Sequence, residues 1–146
     1  MTRPLRRHWD LRRRLERLLA AVYEPVGYIV GVEYPYRPFP ENEVWGADVA
    51  CINRERHEAV EKWLIGSPEF VIEVKSPSNT KTELHDKAMT TLAGHGALEF
   101  WIVDPDTQSI TVHRKSGMTV YSAQQEIPPF GSDHRQSVAR IFSDIG

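Results

Sequence analysis

Glu73 and Lys75 stand two residues apart in Glu-Phe-Val-Ile-Glu-Val-Lys (69–75), an apolar segment with a charged end. In an extended strand, side chains i and i+2 leave the same face, so this acid and this ammonium point one way while Ile72 and Val74 point the other. Alone, the pair reads as an exposed ion pair at a strand end, which needs no functional account. A second acid shifts that balance. Asp48 interrupts the apolar run Ala47, Val49, Ala50, Cys51, Ile52, where a carboxylate is costly unless partnered. If the two strands lie side by side, Asp48 and Glu73 face one cleft. Two carboxylates roughly 5 Å apart repel by about 3 kcal/mol at an effective dielectric near 20, equivalent to about two pKa units. Such a pair shares a proton or binds a cation. Hard oxygen ligands without histidine or thiol alongside suit Mg²⁺, with Mn²⁺ as a substitute, better than zinc. Lys75 beside them can orient an attacking water or stabilise charge gathering on a phosphate.

These residues need a scaffold. Leu11, Leu15, Leu18, Leu19 and Val22 recur at helical spacing, which predicts an amphipathic helix over about residues 8–23, ending before Pro25. Gly27 to Tyr36 is rich in β-branched and aromatic residues and reads as a strand, broken by Pro38 and Pro40. An extended pattern resumes over about 44–52. The polar stretch Asn53–Glu61 reads as a loop with room for a helical turn, carrying Trp63 and Leu64 toward the core. After the 69–75 strand, Ser76-Pro77-Ser78-Asn79 stops extension, with Ser78 or Asn79 placed to cap a helix over about 80–94 that ends at Gly94 or Gly96. Residues 99–103 and 109–114 read as a hairpin around Asp104-Pro105-Asp106, followed by a strand near 118–122 and a short segment at 138–142. The order predicts an α/β domain with a central mixed sheet flanked by helices.

Composition bounds the remainder. The 146 residues suit one domain (1–146), with residues 1–24 as a basic helix packed on its core; 40% are hydrophobic and 26% charged. No apolar run reaches membrane-spanning length, and the charged start lacks the apolar stretch of a secretory signal. Cys51 is the single cysteine, which fits a reducing, cytoplasmic setting. Residues 1–17 hold seven arginines against Asp10 and Glu16, a net +5, leaving −7 for the rest of a chain whose total is −2. Such a stretch can track phosphates, although a solvated helix face is the simpler reading.

Three segments carry a family resemblance: GADVACI (46–52), SPEFVIEVKSPSNT (67–80) and KAMTTLAGHGALEFWIVDP (87–105). In this order they resemble the Uma-two family of restriction endonucleases, within the PD-(D/E)xK nuclease superfamily. The resemblance implies a restriction-endonuclease-like core and a metal-dependent endonuclease acting on DNA. It implies metal ligation by Asp48, Glu73 and the Val74 backbone carbonyl, with Mg²⁺ as cofactor. The family often draws its lysine from the helix after the Glu strand, so Lys87 joins Lys75 as a candidate catalytic cation; strand geometry favours Lys75. Glu16 is an optional further ligand, more simply a solvated residue among arginines. Ala47 replaces the family's usual proline, and Leu92 stands near its usual tyrosine. A homodimer is expected if both DNA strands are cut. The alternative is an inactive nuclease-fold module that binds nucleic acid or a protein partner.

Other signals fail on inspection. His57-Glu58 begins a zinc-protease motif, but Glu61 replaces its second histidine. Gly94-x-Gly96 is too short for a dinucleotide loop and reads as a helix end. Ser76 and Ser78 read as turn and cap residues, while Trp45, Trp63 and Trp101 read as core.

Overall fold

The computed structural model describes residues 3–128 and 135–145. Helix α1 (Arg3–Tyr23) is followed by β1 (Tyr28–Arg37), β2 (Trp45–Asn53), α2 (Arg54–Glu58), β3 (Leu64–Ile65), β4 (Phe70–Val74) and α3 (Lys81–Ala93). Strands β5 (Glu99–Asp104), β6 (Ser109–Arg114), β7 (Gly117–Tyr121), β8 (Glu126–Ile127) and β9 (Gln136–Ser137) precede α4 (Val138–Phe142). Seven strands form one mixed sheet in the order β3-β1-β2-β4-β5-β6-β7, while β8 and β9 pair separately. At its centre β2 and β4 run antiparallel, and β4 and β5 run parallel with α3 as the crossover between them. A parallel neighbour cannot be reached by a tight turn, so a long crossover is required, and α3 supplies it.

The elements follow the sequence reading closely. Helix α1 starts earlier than the apolar spacing indicates and buries Leu11, Leu15, Leu19 and Tyr23 against one sheet face. Truncating any of these leucines removes a full side chain from the core, which typically costs about 2–5 kcal/mol. Asn53 makes the expected helical turn real: its side chain accepts from the amides of Glu55 and Arg56 and nucleates α2. Thr80, rather than Ser78 or Asn79, caps α3, accepting from the Glu83 amide. Asn79 instead closes the preceding turn by accepting from the Ser76 amide. The helix ends at Gly94, and Gly96 supplies the left-handed turn beyond it (φ 95°). The short β3 and the β8–β9 pair had no legible pattern, because two-residue strands carry no periodicity. Trp101 is core, whereas Trp63 lies under the Arg37 guanidinium, 4.6 Å from its ring centre.

Two apolar layers sandwich the sheet. Leu11, Leu15, Leu19, Val49, Ile72, Val74 and the α4 residues Val138, Ile141 and Phe142 fill one side. Tyr36, Ala47, Ala50, Ile52, Val71, Ala88, Leu92 and Phe100 fill the other, under α3. The strict alternation of β2 slips at Asp48: Val49 and Cys51 belong to the first layer, yet Ala47 belongs to the second, with Ala50 and Ile52. Opposite this point, Glu33 of β1 takes a left-handed backbone (φ 50°), rare for a residue with a Cβ. Asp48 therefore sits at a seam between the layers rather than deep within either.

Candidate active site

The register of β2 against β4 pairs Val49 with Ile72 and Ala50 with Val71. One further step sets Asp48 opposite Glu73, where directly opposed side chains lie roughly 5 Å apart at Cβ. Here the carboxylates replace the ladder. The Asp48 amide donates to Glu73 Oε2 (3.2 Å), and the Val74 amide donates to Asp48 Oδ2 (2.8 Å). Each acid thus satisfies a backbone donor of the opposite strand, which explains how a carboxylate persists beside an apolar core.

Glu73 points to the α3 side and meets the Lys87 ammonium in an ion pair through Oε1. Lys87 follows Leu84 by three residues and precedes Ala88, so it lies on the inward stripe of α3. Its ammonium also stands 5.6 Å from the centre of the Trp45 ring. From the other face, α1 contributes His8, whose Nε2 lies 3.4 Å from Asp48 Oδ2. A cleft of about 340 Å³ opens over these groups, walled also by Gly46, Ser76, Asn79 and Glu83.

The two acids differ in environment. Burial pushes Glu73 up to about 8, assisted by the neighbouring Asp48 charge and opposed by Lys87. Burial also pushes Asp48 upward, but hydrogen bonds involving His8, Glu73 and the Val74 amide outweigh it and hold the carboxyl below its ordinary range. The two environments set the acids apart, Glu73 as the weaker acid and Asp48 as the stronger.

Asp48, Glu73, Val74 and Lys87 are brought together; Lys75 is not. Strand β4 ends at Val74, and the Lys75 amide donates to Val103 of β5 (2.8 Å). Lys75 leaves on the other flank of α3, into a separate cavity with Lys81, His85 and Asp104. Lys87 lines the cleft and Lys75 the separate cavity, because alternation fixes a face but not which side of the covering helix a long chain takes. Glu16 does not line the cleft. It is eight residues beyond His8, roughly 12 Å along the helix axis. Much of the N-terminal arginine cluster is spent within the fold: Arg7 pairs with Asp106 (2.5 Å), Arg12 with Glu33 (3.0 Å), and Arg14 binds the last carbonyls of α4. His8 is a site residue that the sequence reading misses, although His8, Leu11, Leu15 and Leu19 form one stripe at spacings of three and four. That stripe was the available signal.

The family model of Uma2, described as "Putative restriction endonuclease", matches residues 1–144. The chain belongs to the Uma2 family. A crystal structure of a "putative nuclease belonging to DUF820" from Anabaena variabilis superposes with a TM-score of 0.83 at 19% identity, covering 96% of this chain and 82% of that one. At that identity the likeness speaks to the fold, which is the mixed α/β arrangement expected for Uma2. No curated protein matches the chain. No helix among the described residues is long and apolar enough to cross a membrane.

Proposed function

We propose that this chain is a Mg²⁺-dependent endodeoxyribonuclease that hydrolyses DNA phosphodiester bonds in the Asp48–Glu73–Lys87 cleft. The observation that carries the reading is the convergence of two carboxylates from adjacent strands with an ammonium from a third element over one open cleft. Membership of Uma2, a family described as "Putative restriction endonuclease", supports it.

The donors suit the ion. Mg²⁺ in phosphoryl-transfer sites takes one or two carboxylates and completes its shell with water and substrate phosphate. Among the described residues no group of three or more His, Cys, Asp or Glu is placed to hold a metal, so Asp48 and Glu73 are the protein's carboxylates in this reading. The Val74 carbonyl is a third donor. A strand residue sends its N–H and C=O to the same side, and the Val74 N–H faces Asp48. When bound, the ion supplies Lewis-acid charge to the scissile phosphate and acidifies the attacking water.

The chain's own groups perform the rest. The Val74 amide and His8 fix the Asp48 carboxylate, so no side-chain reorganisation is needed to present it. Lys87, steadied by Glu73 and the Trp45 face, holds an ammonium where negative charge grows on the phosphate. Lys87, not Lys75, is the catalytic cation. The water oxygen bonds to phosphorus as the P–O bond to the leaving sugar oxygen breaks; the water gives up one proton to bulk water, and the leaving oxygen takes one from it. Cutting both strands calls for two copies of the chain on duplex DNA.

Plasmid nicking in Mg²⁺ or Mn²⁺, quenched by a chelator, tests the proposal. Glu73→Ala and Lys87→Met are expected to lower the rate at least roughly a hundredfold. DNA binding that survives chelation, with no cleavage by the wild-type chain, would assign the protein instead to a non-catalytic binding role.

A further inference from the structure

A second cavity, of about 360 Å³, lies on the far flank of α3 from the cleft. Leu84 of α3 lines both. Its apolar surface comes from Leu84, Ile102, Met118 and Val120, and the last two are largely exposed on the edge strand β7. The rings of His85 and His113 meet edge to face within it, their centres 5.5 Å apart. His113 is buried, and burial together with His85 holds it below its ordinary pKa, favouring a neutral aromatic ring. Thr107, Ser109 and Thr111 contribute hydroxyls.

The charge at this cavity is cationic. Lys75 and Lys81 line it, and among the described residues neither has an ion-pair partner. The one acid, Asp104, already accepts the Asp106 amide (2.9 Å) through Oδ1. An apolar slot with aromatic walls, hydroxyls and two free ammoniums matches an aromatic anion. Continuity with the cleft narrows the class. Lys75 follows Glu73 by two residues at the end of β4, roughly 6.6 Å between Cα atoms in extended chain, comparable with the spacing of successive phosphates of a nucleic-acid strand.

We propose that this cavity receives one unpaired nucleotide adjacent to the scissile phosphate, its base between Leu84, Met118 and the histidine rings and its phosphate at Lys75 and Lys81. The inference rests on the nuclease reading and adds a substrate class: DNA with a displaced or single-stranded nucleotide beside the cut. Lys75 is then a binding residue for the flanking phosphate.

The test is NMR of the full chain with ¹³C-methyl methionine, titrated with thymidine 5′-monophosphate, thymidine and inorganic phosphate. The monophosphate is expected to shift the Met118 methyl and the His85 and His113 ring signals at millimolar concentration. Lys75→Ala with Lys81→Ala should weaken the monophosphate roughly tenfold while leaving thymidine unchanged. Val120→Trp, at an exposed position, should abolish the shifts by filling the slot. Equal shifts with inorganic phosphate alone, or shifts that survive Val120→Trp, would overturn the proposal. Nucleotide shifts in a chain that never cleaves DNA would remove the nuclease reading and leave the pocket standing. Cleavage without nucleotide shifts would remove the pocket alone.

Discussion

Glu73 is buried opposite Asp48, with its carboxyl raised from 4.5 to about 8. A group that binds its proton more tightly folded than unfolded stabilises the fold fully below its unfolded pKa, and that stability drains away as pH rises toward the folded value. The window here runs from about 4.5 to about 8. Integrating the difference in bound protons between roughly pH 5 and pH 8 gives a loss on the order of 3 kcal/mol, or roughly 10 °C in Tm for a domain of this size. Asp48 moves the other way, below its ordinary 3.8, so its contribution is lost only in stronger acid. His113, also lowered, adds stability as pH rises through about 6.5 and partly masks the Glu73 loss. The discriminating comparison is therefore with Glu73→Gln, which keeps an oxygen for Lys87 and cannot ionise. Urea unfolding in a chelator, followed by tryptophan fluorescence across that range, should give a wild-type stability that falls with pH relative to the variant. Subtraction cancels His113. Parallel curves for the two proteins would mean that Glu73 ionises as readily folded as unfolded, and the buried-acid account would fail.

Divalent cations should reverse that loss. Mg²⁺ at about ten times its dissociation constant should raise wild-type stability by about 1.4 kcal/mol, read as a few degrees in a thermal melt, and should do nothing for Asp48→Asn. Glu99, 1% exposed, accepts from the Trp101 indole and pairs with Arg114 (2.6 Å). Arg114→Ala should cost about 3 kcal/mol in urea unfolding at neutral pH by leaving that carboxylate uncompensated; a cost under half that would mean water replaces the guanidinium. Leu15→Ala should cost about 3 kcal/mol by the same measurement, with binding of Mg²⁺ unchanged, because Leu15 packs α1 on the sheet away from the cleft.

The strands and helices were legible because their periodicities are local. Apolar spacing marked α1 and α3, the 69–75 run marked β4, and Asp48 stood out as an acid within an apolar stretch. The order of elements also fixed a mixed sheet, since a helix between two strands favours a parallel pair. Sequence spacing could not state that β2 and β4 are neighbours in the register that sets Asp48 opposite Glu73, because that register is chosen by the packing of both sheet faces at once. Nor could it choose between Lys75 and Lys87. Alternation sends Lys75 to the face of Glu73, but α3 crosses that face between them, and the helix's inward stripe delivers Lys87 instead. His8 reaches Asp48 from the α1 face, at the point where the alternation of β2 slips opposite the left-handed Glu33. Residue types set which chemistry is available, through charge, ligand hardness and the cost of burial. Which of those residues meet is a property of long-range packing, and that is decided by the folded sheet.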